Sequence, residues 1–396
     1  MNDRMHSEAT VEALPDLTEL LKTLRDSAAE RDRLGGHAVF EKNMLAEAGL
    51  LILPVPRAYG GAGASWPAIY GLLRQIAQVD SALAHLLGFQ YLQIASVLVW
   101  GDEAQRERYL RGTVEGNWWW GNAVNPIDTR LIATEHEDGY LLDGTKGFCS
   151  GTLGSHQMVI SAHHAVSGKP VVVVVPTDRE GITVRDDWDP IGQRQTDSGS
   201  VRFEQVVVHG DEVLQRSPTF AANAHTSLRT LVSQLLLVNL YIGIAEGAFA
   251  EGREYALNFT RPWVASGVAR SADDPYVIQR FAEMHLKIVP ARALADNAAQ
   301  ALEAAWQKGA ALDVQERAYL ALSIAEAKVL AHRAALDVSE GIFDVCGARA
   351  THAVLGLDRF WRNARTHTLH DPIDYKIKAI GQFALEGTLP EAGLYT

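Results

Sequence analysis

The spacing of apolar residues changes period twice along the chain. From Leu14 to Gly116 it is helical. "LPDLTELLKTLRDSAAERDRLGG" and "HAVFEKNMLAEAGL" place apolar side chains every three to four residues and end near glycine. "WPAIYGLLRQIAQVDSALAHLLGFQYLQIASVLVWG" keeps that period after the Gly/Pro break "PRAYGGAGASWP", and "DEAQRERYLRGTVEG" opens on an aspartate suited to capping. From Asn117 to Val213 the chain turns β-branched. "QMVISAHH", "PVVVVVP", "GITVRD" and "SVRFEQVVVHG" lie between Gly, Pro and Asp turns, and "EHEDGYLLDG" reads as a hairpin with both Asp-Gly pairs as turn signals. The helical period then returns. Phe281, His285, Ile288, Ala295, Leu302 and Trp306 share one stripe, in a helix that Pro290 is expected to kink, and a further long helix stops near Gly347. Strands that do not alternate with helices imply an α+β chain. The expected parts are an N-terminal helical domain (1–116), a central β domain (117–213) and a C-terminal helical bundle (214–396).

Composition narrows the function classes. With 48 acidic against 36 basic residues the formal net charge is -12, and no Lys/Arg block interrupts it. That argues against nucleic-acid and anionic-membrane binding. "MNDRMHSEATVEALPDL" lacks a basic region followed by an apolar one, so no secretory signal is expected. "LVSQLLLVNLYIGIA" is interrupted by Ser233, Gln234 and Asn239 and is too short to span a bilayer, so it reads as a buried helix. Cys149 and Cys346 alone give no disulfide framework, and the default location is the cytoplasm. "YGGAGAS" follows no βα unit and reads as a turn, so no nicotinamide site is expected. "VASGVARSADDP" (264–275) reads as a mobile loop.

"RTHTLHDP" (365–372) holds the densest polar chemistry. His367 and His370 supply only two of the ligands a metal needs, so no metal site is expected. As cations they suit a helix C-terminus, and as imidazoles they suit proton transfer. The residues alone leave both open, with His367 better read as capping or packing. Elsewhere the residues alone favour plain readings. "CSGT", with Ser150, is a turn; Arg261 is a solvated helix-end arginine; His85 is a core histidine on an apolar face. Trp118, Trp119 and Trp120, with Phe148 and Trp188, offer an aromatic pocket wall, although at most alternate members of the run face one cavity.

Several long segments carry a resemblance. "AEAGLLILPVPRAYGGAGASWP", "LDGTKGFCSG", "IGQRQTDSGSVRFEQVVVHGDEVL", "EGREYALNFTRPW" and "FDVCGARA" resemble the acyl-CoA dehydrogenase fold over essentially the whole chain. "NWWWGNAVNP", "KGFCSGTLGS", "DDWDPIGQRQTDSGS" and "DRFWRNARTHTLHDPIDYKI" resemble its dibenzothiophene monooxygenase branch. The resemblance implies a two-component monooxygenase that uses reduced FMN or FAD and O2. A flavin hydroperoxide would oxygenate a small aromatic heterocycle. A thiophene-type sulfur is the first expectation, and an indole-type carbon or an amine nitrogen the next. A separate NAD(P)H-flavin reductase and a homotetramer are implied with it. The resemblance makes His370 the catalytic histidine, with Ser150 and His85 beside it. Asn122, Ser150, Arg261 and His370 become flavin contacts, Arg261 reaching the phosphate of a neighbouring subunit's cofactor. Phe89, Trp188 and Phe148 become substrate contacts, and the branch has a tyrosine where this chain has Phe89.

One departure separates this chain from the dehydrogenases. Their glutamate base stands in a Tyr-Glu-Gly-Thr-like segment, and here that stretch reads Leu369-His370-Asp371-Pro372. Asp371 is one methylene shorter, and the following proline biases it toward extended backbone. Acyl-CoA dehydrogenation is therefore disfavoured. A non-catalytic flavoprotein or scaffold is expected only if side chains fill the pocket.

Overall fold

The computed structural model describes residues 14–215 and 222–396. The first thirteen residues, with most of the segment read above as lacking a signal, lie outside the described residues. Five helices come first: α1 (Thr18–Leu34), α2 (Val39–Glu47), α3 (Trp66–Val79), α4 (Ser81–Trp100) and α5 (Glu103–Gly116). The long apolar stretch after Trp66 is two helices. Asp80 leaves the helical region (φ -150°), and its carboxylate accepts the Leu83 amide at 2.9 Å, which starts α4. Asp102 caps α5 in the same way, with Gln105 closing a reciprocal capping box.

Seven strands follow: β1 (Trp120–Ala123), β2 (Leu131–His136), β3 (Gly139–Lys146), β4 (Gln157–His164), β5 (Pro170–Pro176), β6 (Ile182–Val184) and β7 (Val201–Val208). They form one sheet in the order β1-β4-β2-β3-β7-β6, with β5 paired to β4. Valines of β5 pair with apolar residues of β4 (Val173 opposite Ile160, Val175 opposite Met158) in a dry interior. The hairpin is β2–β3, closing with His136 opposite Gly139. Its turn residues are Glu137 and Asp138, so the first Asp-Gly pair straddles the end of the turn, with Gly139 already in β3. The second, Asp143-Gly144, is a β-bulge where the register to β7 shifts, and Gly144 takes a φ of 130° that a side chain would resist.

The remaining helices are α6 (Leu228–Asn258), α7 (Pro275–Lys308), α8 (Val314–Cys346), α9 (Asp358–His367) and α10 (Ile373–Glu386). Helix α7 runs unbroken through Pro290, so the proline does not end it. The apolar stretch at 231–245 belongs to a 31-residue helix, α6, so the expectation that it is too short to span a bilayer is corrected. Helices α4 and α6 both have the length and apolarity of a membrane span, yet 94% and 89% of their most apolar windows are buried inside the protein. They are core helices, apolar on all sides because neighbours cover all sides. Helix α4 packs on α6 within the main helical core. From its other side, Ile94 and Val97 join Trp120 and Val159 of the sheet in a second apolar cluster. A helix held between bundle and sheet in this way can present a row of side chains to the seam between them.

Candidate active site

His85, Phe89 and Gln93 recur every four residues on α4 and so share one face, spanning about 12 Å of helix axis. The Phe89 ring stacks on His85, with centroids 4.1 Å apart and planes 22° apart. One turn on, Gln93 Nε2 donates to Asn122 Oδ1 at 2.9 Å. Asn122 lies on β1, and its backbone amide donates to the Ser150 carbonyl, also at 2.9 Å. The α4 row therefore runs from the imidazole of His85 to the strand-turn that carries Ser150.

His367 and His370 reach this row from the other direction. His367 is the last residue of α9. It is buried, and its ring meets that of His85 edge-on at 4.8 Å. Burial first, then the His370 and Lys328 charges, push its pKa down to about 3. A neutral, buried imidazole gives nothing to the helix dipole, so the helix-cap reading of His367 is corrected. His85 is likewise held well below the ordinary value by burial, with His367 and His370 adding to the effect. Neither ring nitrogen of His85 and not Nδ1 of His367 finds a partner among the described residues. Three buried, unsatisfied polar atoms are costly unless a ligand or water completes them. These three atoms are therefore available to a polar ligand or water.

His370 follows α9 in the turn before α10 and is exposed. It does not cap α9, whose C-terminal Thr368 amide donates to the Ala364 carbonyl. Its Nδ1 lies 3.0 Å from Asp371 Oδ1. Burial would raise the Asp371 pKa, but the hydrogen bond from His370 and the Lys328 ammonium hold it well below the usual carboxylate range. Lys328, buried on α8, contacts Asp371 and donates to Gln234 Oε1 at 2.7 Å. An ionised Asp371 fixes the Nδ1 proton of His370 and leaves Nε2 as the ring atom free to exchange a proton. Engaged with two donors, this carboxylate is a poor base for removing an α-proton.

On the strand side, Ser150 is buried and its hydroxyl lies 2.8 Å from that of Ser198, which lies 2.8 Å from that of Thr196. Phe148 precedes it with a φ of 57° and is 68% exposed. Trp188 meets Phe148 edge-on at 5.9 Å and donates from Nε1 to the Gln193 carbonyl at 2.8 Å. Gln193 Nε2 in turn donates to Ser81 Oγ at the start of α4 (3.0 Å). Phe148 and Trp188 thus form a second aromatic pair beside Ser150, separate from the His85–Phe89 pair.

The tryptophan run is not a pocket wall. Trp120 donates from Nε1 to Thr113 Oγ1 at 2.9 Å, and Trp118 lies against Gly112 and Gly116, where a Cβ would come within 2.2 and 2.3 Å of its ring. Both pack on α5, and Trp119 on the opposite face lies under the Lys42 ammonium. Arg261 is exposed in the segment after α6 and makes no ion pair with a described residue, so nothing within the chain ties it to the histidine cluster. Cys149 and Cys346 are free and buried. Residue reasoning missed Gln93, whose i+8 spacing from His85 was legible. It also missed Lys328, which in an Ala-rich helix looks like any solvated lysine.

The sequence matches three domains of one family: acyl-CoA dehydrogenase N-terminal domain over residues 18–117, middle domain over 120–206 and C-terminal domain over 235–375. The chain belongs to the acyl-CoA dehydrogenase family. Within it, the chain is 44% identical to a probable FMNH2-dependent monooxygenase, SfnC, of Pseudomonas putida, over 97% of each chain. It superposes on the methanesulfinate monooxygenase MsuC of Pseudomonas fluorescens with a TM-score of 0.93 and 42% identity, over 96% of this chain and 98% of that one. On the dibenzothiophene monooxygenase TdsC of Paenibacillus sp. A11-2, solved with FMN and indole, the TM-score is 0.91 at 36% identity with the same coverage. This family member is a flavin-dependent monooxygenase, and its fold is the expected α+β arrangement.

Proposed function

We propose that the chain binds reduced FMN along the α4 row and oxygenates an organosulfur compound, an aromatic heterocycle of the thiophene type first. Reduced FMN supplies the electrons that activate O2, one oxygen atom going to the substrate and the other to water. Asn122 and Ser150 hold the polar edge of the flavin, and the buried hydroxyl chain behind Ser150 fixes the direction of its proton. His370 carries and delivers a proton through Nε2, with Asp371 stabilising the charged ring. The stacked His85–Phe89 pair receives a flat ring, and Phe148 and Trp188 add an aromatic edge beside Ser150. Phe89 offers that ring no hydroxyl. Arg261 reaches the FMN phosphate across a subunit interface of a homotetramer, where its planar fork suits two phosphate oxygens. Free, buried cysteines suit a cytoplasmic setting, in which a separate NAD(P)H-flavin reductase delivers the reduced cofactor.

The observation that carries this reading is the pair of neutral, unpartnered imidazoles His85 and His367 beside an aspartate-anchored His370. The same unpartnered nitrogens favour a second reading, a small oxygen-bearing sulfur compound such as an alkyl sulfinate, whose oxygens would complete them. Oxygenation of an indole-type carbon or an amine nitrogen would use the same residues. The test is a panel of thiophenes, sulfoxides, sulfinates, indole and amines, run with a flavin reductase, NADH and isotopically labelled O2, with products read by mass spectrometry. Label should enter a sulfur compound, and NADH and FMN without the reductase should give no product. His370→Ala should fold and bind FMN, lose about a hundredfold or more of product formation, and release hydrogen peroxide instead. Label in none of the panel, or a His370→Ala enzyme that keeps its product yield, would overturn the reading.

A further inference from the structure

The buried cation behind His370 belongs to no flavin or substrate contact assigned above. Lys328 sits in the middle of α8, 1% exposed, and burial pulls its pKa down. A lone buried ammonium costs several kcal/mol, so its partners report what it is for. They are Gln234 on α6, at 2.7 Å, and the Asp371 carboxylate. Asp371 Oδ1, the oxygen that receives Lys328, is the same oxygen that receives His370 Nδ1. The sequence joins these groups from three places: two long helices that pack along one another, and the turn between α9 and α10. The turn itself is short and His370 is exposed, so within the turn the imidazole is oriented by its bond to Asp371. The α6–α8 pair supplies a rigid anchor for Asp371.

We propose that Lys328 is a positioning residue for the oxygenation: it clamps Asp371 to the α6–α8 pair and thereby holds the His370 ring in the Nδ1–H tautomer, with Nε2 turned to the reacting atoms. Without it, Asp371 is free to rotate and His370 loses its orientation, although neither leaves the chain. Lys328 also balances the charge of the Asp371 carboxylate that it meets. Other groups facing this trio set a background that the substitution leaves in place. They are His85 from α4, Tyr241 from α6, His332 from α8, His367 from α9 and Lys376 from α10. The Tyr395 ring lies edge-on to His370 at 5.7 Å.

The inference rests on His370 acting in proton transfer, and the test separates the two claims. Lys328→Met and Lys328→Gln are assayed with His370→Ala in the reductase-coupled holoenzyme, measuring product, hydrogen peroxide and FMN affinity. Lys328→Met should bind FMN normally and lose about tenfold or more of product, replaced by peroxide. Lys328→Gln keeps an amide donor to Asp371 and should restore part of the coupling. If Lys328→Met does not fold, Lys328→Gln carries the test through its ratio of product to peroxide. A Lys328 variant that folds with wild-type coupling overturns the inference, while His370→Ala still uncouples. If His370→Ala also stays coupled, the reading of His370 has failed and takes this one with it.

Discussion

His367 offers a test of burial that needs no substrate. Its ring sits between His85 and Tyr241, and its Nδ1 bonds to nothing among the described residues, so His367→Phe keeps an aromatic ring and removes the titration. The folded pKa, about 3, lies below the ordinary 6.5. The unfolded chain therefore binds a proton that the folded chain refuses. Stability from this group is complete above about pH 6.5 and is lost as pH falls toward about 3. At about pH 5 the difference spans about 1.5 pH units, and at about 1.4 kcal/mol per unit the wild-type chain has lost about 2 kcal/mol through His367 alone. Urea unfolding of wild type and His367→Phe between about pH 7.5 and about pH 5 should give curves that diverge by about that amount, the variant gaining. Parallel curves would mean that the ring is solvated and chargeable, and the helix-cap role would return.

Two further predictions follow from single contacts. Arg261→Ala should weaken FMN binding about ten- to a hundredfold, as expected for losing a charge-assisted pair to phosphate, while product per bound FMN holds; unchanged affinity on FMN titration would make Arg261 an ordinary surface residue. Asp80→Ala removes the cap of α4 and the buried partner of Arg31, so it should cost about 2–4 kcal/mol in urea unfolding, and a loss under about 0.5 kcal/mol would show that α4 starts without its cap.

Much of the architecture was legible from local chemistry. Helical and β-branched periods separated at Asn117, and Gly144 and Pro290 were visible as special positions, because backbone preference and amphipathic spacing are properties of neighbouring residues. What a special position does was decided further away. Asp143-Gly144 became a bulge because β7 shifts register there, and Pro290 stayed inside α7. The site divided in the same way. His85, Phe89 and Gln93 follow from a four-residue spacing that any helix would honour, and long motifs pointed to Ser150, Asn122 and His370. That His367 is neutral, that Trp118 and Trp120 pack on α5, and that a lysine more than forty residues before His370 anchors its aspartate could be settled only by packing. Whether an imidazole is charged depends on how much water surrounds it, and whether a lysine is solvated or buried depends on which helix lies across from it. Those are contacts between segments distant in sequence, and only the folded chain brings them together.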